Sequence, residues 1–107
     1  VKPPVGVMIE VPSAVYQVRS LARRVDFLSV GSNDLTQYLL AVDRNNARVA
    51  QLYDYLHPAV IQALLQIIEG VRLEGKKVSI CGEMASDPIA VILLTVVTFG
   101  IYGIVLL

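Results

Sequence analysis

The sequence predicts an α/β fold built on a parallel sheet, and three observations carry that prediction. Short apolar runs alternate with longer amphipathic stretches in the order strand, helix, strand, helix, strand, helix, strand. Hydrophobic residues make up 55% of the 107 residues, above the roughly 45–50% apolar content of average soluble domains. Such an excess fits strands buried on both faces beneath helices. Finally, three strand-like runs end in polar clusters, which right-handed parallel crossovers would gather at one edge of the sheet.

Taken in order, Val5-Gly6-Val7-Met8-Ile9 is the first apolar run and ends at Glu10. Pro12-Ser13 follows, a stop plus an N-cap. Ala14 to Arg24 is expected as one helix, with Val15, Val18, Leu21 and Ala22 on one face and Arg19, Arg23 and Arg24 off it. Asp26 to Val30 reads as the second strand, closed by Gly31-Ser32-Asn33-Asp34. A long connection comes next, with a helical turn at Leu35–Leu40 and a polar loop around Asp43–Asn46. His57-Pro58 opens the following helix, since proline suits the first turn. Its apolar stripe is Val60, Ile61, Leu64, Leu65, Ile68 and Val71, and Gly75 ends it. Lys77 to Ile80 is the third strand and delivers Cys81-Gly82-Glu83. A helix from Pro88 to about Thr98 then leads to a fourth strand at Ile101–Leu106.

Charge and cysteine content narrow the function classes. Nine basic and nine acidic residues give zero net charge, so nothing points to nucleic acid or an acidic lipid surface. One cysteine excludes an internal disulfide and fits a reducing cytoplasm. Val1-Lys2-Pro3-Pro4 lacks the architecture of a signal peptide, and the missing initiator methionine places the start within a longer protein. Ile89 to Leu107 carries no charge and is long enough to cross a bilayer. The strand-helix alternation upstream favours a buried helix broken near Gly100 and Gly103, followed by a buried strand, over a membrane span or partner-bound tail.

The expected sheet edge is where α/β folds place their active sites, and the residue types there suggest definite chemistry. Glu10 and Asp34 follow successive strands; two such carboxylates with substrate oxygen and water make a usual Mg²⁺ site. Each can equally cap a helix or pair with an arginine. Asn33 can donate to a phosphate or hold the turn, and Gly31-Ser32-Asn33-Asp34 alone is an ordinary loop composition. Arg44 and Arg48, in the connection after the second strand, are each able to grip a carboxylate or phosphoryl group, or to be solvated surface charges. Cys81, beside Gly82, suits a nucleophile or a proton donor, but also a small buried hydrophobe. Glu83 can orient that thiol or cap the next helix. His57, the single histidine, reads as a helix-start residue before Pro58 more readily than as a phosphoryl acceptor.

Four stretches in order resemble one family. Gly6-Val7-Met8-Ile9-Glu10-Val11-Pro12, Gly31-Ser32-Asn33-Asp34-Leu35-Thr36-Gln37-Tyr38, Asp43-Arg44 and Cys81-Gly82-Glu83-Met84-Ala85 are similar to the phosphoenolpyruvate (PEP)-utilising enzymes, which include enzyme I of the bacterial sugar phosphotransferase system, PEP synthase and pyruvate phosphate dikinase. The match runs from about Pro3 to Asp87. The Cys-Gly-Glu-Met-Ala pattern resembles enzyme I, and Pro12-Ser13-Ala14-Val15-Tyr16-Gln17 with Tyr38-Leu39-Leu40-Ala41-Val42-Asp43-Arg44 is closest to its nitrogen-regulatory form.

The resemblance implies a partial (β/α) TIM-type barrel, about the last four strands of eight, with residues 1–107 one fragment of that domain and 89–107 diverging from the family. It implies Glu10 and Asp34 as Mg²⁺ ligands, Asn33 and Arg44 as contacts to PEP, Cys81 as the acid that protonates enolpyruvate, and Glu83 as support behind Cys81. The parent would be a cytoplasmic, dimeric enzyme transferring phosphate from PEP to a protein histidine and so serving a small histidine-phosphorylated carrier protein. Nothing in this sequence maps onto the accepting histidine or onto the arginines of the first half-barrel, so the isolated chain is expected to be inactive. A synthase or dikinase fragment, or a non-catalytic remnant, is the rival reading.

Overall fold

The computed structural model describes residues 2–102. Three strands, β1 (Gly6–Ile9), β2 (Phe27–Gly31) and β3 (Lys77–Cys81), form a parallel sheet in that order. Gly6 lies opposite Phe27 and Ile9 opposite Val30, while Phe27 pairs with Lys77 and Gly31 with Cys81. The crossovers hold α1 (Pro12–Tyr16), α2 (Val18–Arg24), α3 (Ser32–Leu40) and α4 (Pro58–Leu73), and α5 (Pro88–Tyr102) follows β3.

The register separates two faces. Val7, Ile9, Leu28, Val30, Val78 and Ile80 point to the helices and join one core with Val15, Val18, Ala22, Leu35, Leu64, Ile67 and Val71. Met8 and Phe27, which alternate with them, are 50% and 42% exposed, and Ser79 and Cys81 are exposed as well. Composition suggested strands covered on both faces; among the described residues helices cover one. The reason is visible in β3, where Lys77, Ser79 and Cys81 alternate with Val78 and Ile80, the pattern of a half-covered sheet.

Helix α4 is the main packing element. Val60, Ala63, Leu64, Ile67, Ile68 and Val71 are buried at helical spacing. His57 is its N-cap and accepts a hydrogen bond from the Ala59 amide at Nδ1, 3.0 Å, so the single histidine is a helix-start residue. At the other end Gly75 (φ +68°) closes the helix. The Lys76 amide donates to the Val71 carbonyl and the Gly75 amide to the Arg72 carbonyl, the two bonds of a Schellman cap. Gly70 faces α2 so closely that a Cβ there would come within 2.5 Å of Val18 Cγ1.

Several expectations shift. The helix expected from Ala14 to Arg24 is two, because the chain tightens at Gln17, whose amide donates to the Ala14 carbonyl. Val11, not Ser13, is the N-cap, since Pro12 already fits the first helical turn. Helix α3 begins at Ser32, directly after β2, so Asn33 and Asp34 sit in its first turn instead of a loop. Helix α5 continues through Gly100 and takes in residues 101 and 102, where the fourth strand was expected to begin; residues 103–106 of that strand lie outside the described residues. Nor is α5 buried all round: Ala90, Leu94 and Thr98 are buried, but Ile89, Ile92 and Val96 are exposed; among the described residues its main contacts are the turn at 83–86 and α4. Among the described residues no helix is long and apolar enough to cross a membrane.

Candidate functional site

All three polar clusters lie at the carboxyl edge of the sheet. Glu10 leaves β1 and lies across the end of β2, where a Cβ on Gly31 would come 2.7 Å from Glu10 Cγ and 3.0 Å from Oε1. Glycine at 31 is therefore what lets the Glu10 side chain occupy that position. Among the described residues its carboxylate has no hydrogen bond or ion pair. Asp34 is exposed in the first turn of α3, with a 3.4 Å contact from Gln37 Nε2. Neither residue caps a helix: the N-caps of α1 and α3 are Val11 and Gly31, and neither helix receives a side-chain cap bond. Neither carboxylate pairs with an arginine. Among the described residues, no three His, Cys, Asp or Glu side chains gather as a metal cage.

Next to these carboxylates, one network joins Asn33, Arg44, Tyr53 and Glu83. Asn33 Oδ1 accepts the Glu83 amide hydrogen at 3.0 Å. The Glu83 carboxylate pairs with Arg44 at 2.8 Å. Arg44 in turn lies over the Tyr53 ring, 5.9 Å from its centroid, and the Tyr53 hydroxyl reaches Asn33 Oδ1 at 3.4 Å. The Gln37 side-chain Oε1 accepts the Arg44 backbone amide hydrogen at 3.0 Å. Burial, and then the negative charge of Glu83, hold the Tyr53 phenol above its ordinary range. Since α3 has no side-chain N-cap, the free N–H groups of its first turn face the same edge.

Cys81 closes β3 on the open face, exposed, with Sγ 3.0 Å from Ser29 Oγ. Ser79 Oγ donates to Ser29 Oγ at 3.3 Å. Glu83, expected behind Cys81, is the ion-pair partner of Arg44. Gly82 (φ +114°) lets β3 pass close to α3: a Cβ there would come 2.8 Å from Asn33 Oδ1. The Ser32 hydroxyl donates to the Cys81 carbonyl in the same place. Arg48 is exposed, its amide held by Asn46 Oδ1, and takes no part in the network.

Sequence reasoning missed Gln37, Tyr53 and Tyr55. Tyr55 donates to Asp87; that bond raises its pKa from 10.0 to about 12 and lowers that of Asp87. The available signal was the run of turn-forming acids and amides. Asp43, Asn46 and Asp54 each accept a backbone N–H two residues on, folding this connection back against the site.

Comparison with known proteins converges on one family. A family model described as the PEP-binding domain of PEP-utilising enzymes matches residues 1–103. The chain is 57% identical over 93 residues to the phosphoenolpyruvate-dependent phosphotransferase system protein of Escherichia coli K12, covering 87% of this chain and 12% of that one. It is 50% identical over 90 residues to a phosphoenolpyruvate-protein phosphotransferase of Haemophilus influenzae, covering 84% and 16%. A phosphoenolpyruvate synthase of Pyrococcus furiosus matches at 51% over 84 residues, covering 78% and 10%. The chain thus spans 10–16% of the length of these relatives.

Proposed function

The chain belongs to the PEP-utilising enzymes, whose PEP-binding domain it matches over residues 1–103, and on that premise we propose that it forms the metal- and phosphate-binding side of a PEP-protein phosphotransferase site. The observation that carries this reading is the meeting, at one sheet edge, of an uncapped helix N-terminus with Asn33, Arg44 and two carboxylates free of protein cations. Helix N-termini and arginine are the usual binders of a phosphoryl group. A fold covered on one face fits a barrel wall, the open face being the barrel interior and the missing strands lying elsewhere in a longer protein.

The residues divide the work as follows. Asn33, Arg44 and the first-turn amides of α3 hold the phosphoryl group of PEP. Glu10 and Asp34 suit Mg²⁺, which takes one or two carboxylates and completes its shell with phosphate and water; when bound it neutralises charge during phosphoryl transfer. Once phosphate has passed to a protein histidine that lies outside this chain, enolpyruvate is left. Cys81, exposed on the interior face, then gives its proton to the methylene carbon, yielding pyruvate and a thiolate that regains a proton from solvent. The carrier protein, dimerisation and cytoplasmic setting belong to this same reading.

Two substitutions in the complete protein test it. Cys81→Ala is expected to leave single-turnover phosphorylation of the histidine intact while steady-state pyruvate formation collapses. Asp34→Ala is expected to abolish phosphorylation itself. Equal loss of both half-reactions in Cys81→Ala, with a weakened fold, makes Cys81 a structural residue and ends its role as proton donor. The synthase relative at 51% identity favours a second reading with the same site, in which the complete protein makes PEP from pyruvate; assaying both directions separates the two.

A further inference from the structure

We propose that Tyr53 is a positioning residue for phosphate binding, setting the direction of Arg44 through its ring and of the Asn33 amide through its hydroxyl. The inference rests on the functional reading above and adds a residue that does not itself touch substrate.

Arg44 is the first half of the argument. Its ion pair with Glu83 is partly solvated, with the two side chains 33% and 59% exposed, and such pairs hold a side chain weakly. Two further contacts limit its freedom: the Gln37 side-chain Oε1 fixes its backbone amide, and the Tyr53 ring lies beneath its guanidinium. A planar guanidinium stacked on a ring keeps its donor edge free to turn toward an anion. Ordering that arginine beforehand lowers the entropy lost when phosphate binds.

Asn33 supplies the second half. A backbone N–H needs an acceptor, so the Glu83 amide at 3.0 Å fixes which end of the Asn33 side chain is oxygen. The Tyr53 hydroxyl is a second donor to that oxygen, at a long 3.4 Å. With Oδ1 turned inward onto two donors, Nδ2 has no protein partner among the described residues, and it is the end presented to a phosphate. The ring and the hydroxyl make different contacts, so substitution can separate the two functions of Tyr53.

Equilibrium PEP binding and steady-state kinetics of the complete protein provide the test. Tyr53→Phe keeps the ring and is expected to weaken PEP binding about twofold to threefold, the effect of one long neutral hydrogen bond. Tyr53→Leu also removes the ring beneath Arg44 and is expected to weaken it about tenfold. Both should act on KM and Kd with kcat nearly unchanged. In an Arg44→Ala background, Tyr53→Leu should cost at most the twofold to threefold of the Phe variant, because the ring would have nothing to position.

Unchanged PEP affinity in Tyr53→Leu overturns the proposal, as does a full tenfold loss in the Arg44→Ala background, which marks a merely structural residue. If the unaltered protein binds PEP and Arg44→Ala weakens it, the functional reading stands whatever Tyr53 does. If the unaltered protein fails to bind PEP, the functional reading falls and this inference with it.

Discussion

The two faces of the sheet divide stability from chemistry. On the helix side Leu28 and Val30 are 1% and 0% exposed, and every described helix contributes to the core there. At the alternate positions of the same strand, Phe27 is 42% exposed and Ser29 touches the thiol of Cys81. A single strand thus anchors the fold with one side and presents reactive groups with the other. The lesson is that exposed polar and small residues on the open face are free of packing duty, whereas the residues at the carboxyl edge belong to both regions.

Substitution should expose this division most plainly in the core. Leu64→Ala, at a fully buried position, is expected to cost about 2–5 kcal/mol, a large part of the roughly 5–15 kcal/mol that holds a domain of this size. Ser79→Ala on the open face should change stability by less than about 0.5 kcal/mol. Urea denaturation of both variants checks the contrast, and a cost at Ser79 near that at Leu64 would show that the open face is packed in solution.

An intermediate effect is expected at the edge shared by the two regions. Gly82 and Gly75 both have positive φ, but a Cβ at Gly82 collides with the Ser32 and Asn33 side chains while one at Gly75 meets nothing within 4 Å. Gly82→Ala should therefore cost about 1–3 kcal/mol and weaken PEP binding through the displaced Asn33. Gly75→Ala should cost about 1 kcal/mol and leave binding untouched. Loss of binding in both variants would mean that the edge responds to general loosening and not to local collision.

Legibility follows the same division. Strands and the stripe of α4 were readable because burial imposes a period on the sequence: Val60, Leu64, Ile68 and Val71 needed no tertiary knowledge. The placement of Glu10, Asn33, Asp34, Cys81 and Glu83 at one edge was readable because parallel topology sends strand ends there. Tyr53 and Gln37 were not, because their roles depend on how residues 41–57 fold back, which Asp43, Asn46 and Asp54 decide by local side-chain bonds. The pairing of Glu83 with Arg44 was hidden for the same reason. Helix α5 misled because its apolar composition carries no stripe, so sequence alone does not separate buried from exposed positions.

The smallest expected effect is a dependence of stability on pH, and it arises outside the site. Arg23 and Arg19 hold Glu74 below the ordinary carboxylate range, each at 2.9 Å, and Tyr55 does the same for Asp87. A carboxylate with a depressed folded pKa adds stability above its unfolded value and loses it as pH falls through the folded one. The fold should therefore weaken on acidification below the ordinary carboxylate range. Tyr55 has the opposite sign: its pKa rises from 10.0 to about 12, so its contribution is complete below about pH 10 and disappears as pH climbs toward 12. Tyr55→Phe keeps the ring but removes the hydroxyl that Asp87 accepts, so it should shrink the alkaline limb between pH 10 and 12, of which the raised Tyr53 keeps a part, and move Asp87 back toward its ordinary pKa. The acid limb should then shrink but persist, since the Glu74 pairs remain. Denaturation midpoints measured across the full pH range for both proteins check this, and an unchanged alkaline limb in Tyr55→Phe would show that the Tyr55–Asp87 bond contributes nothing to the fold.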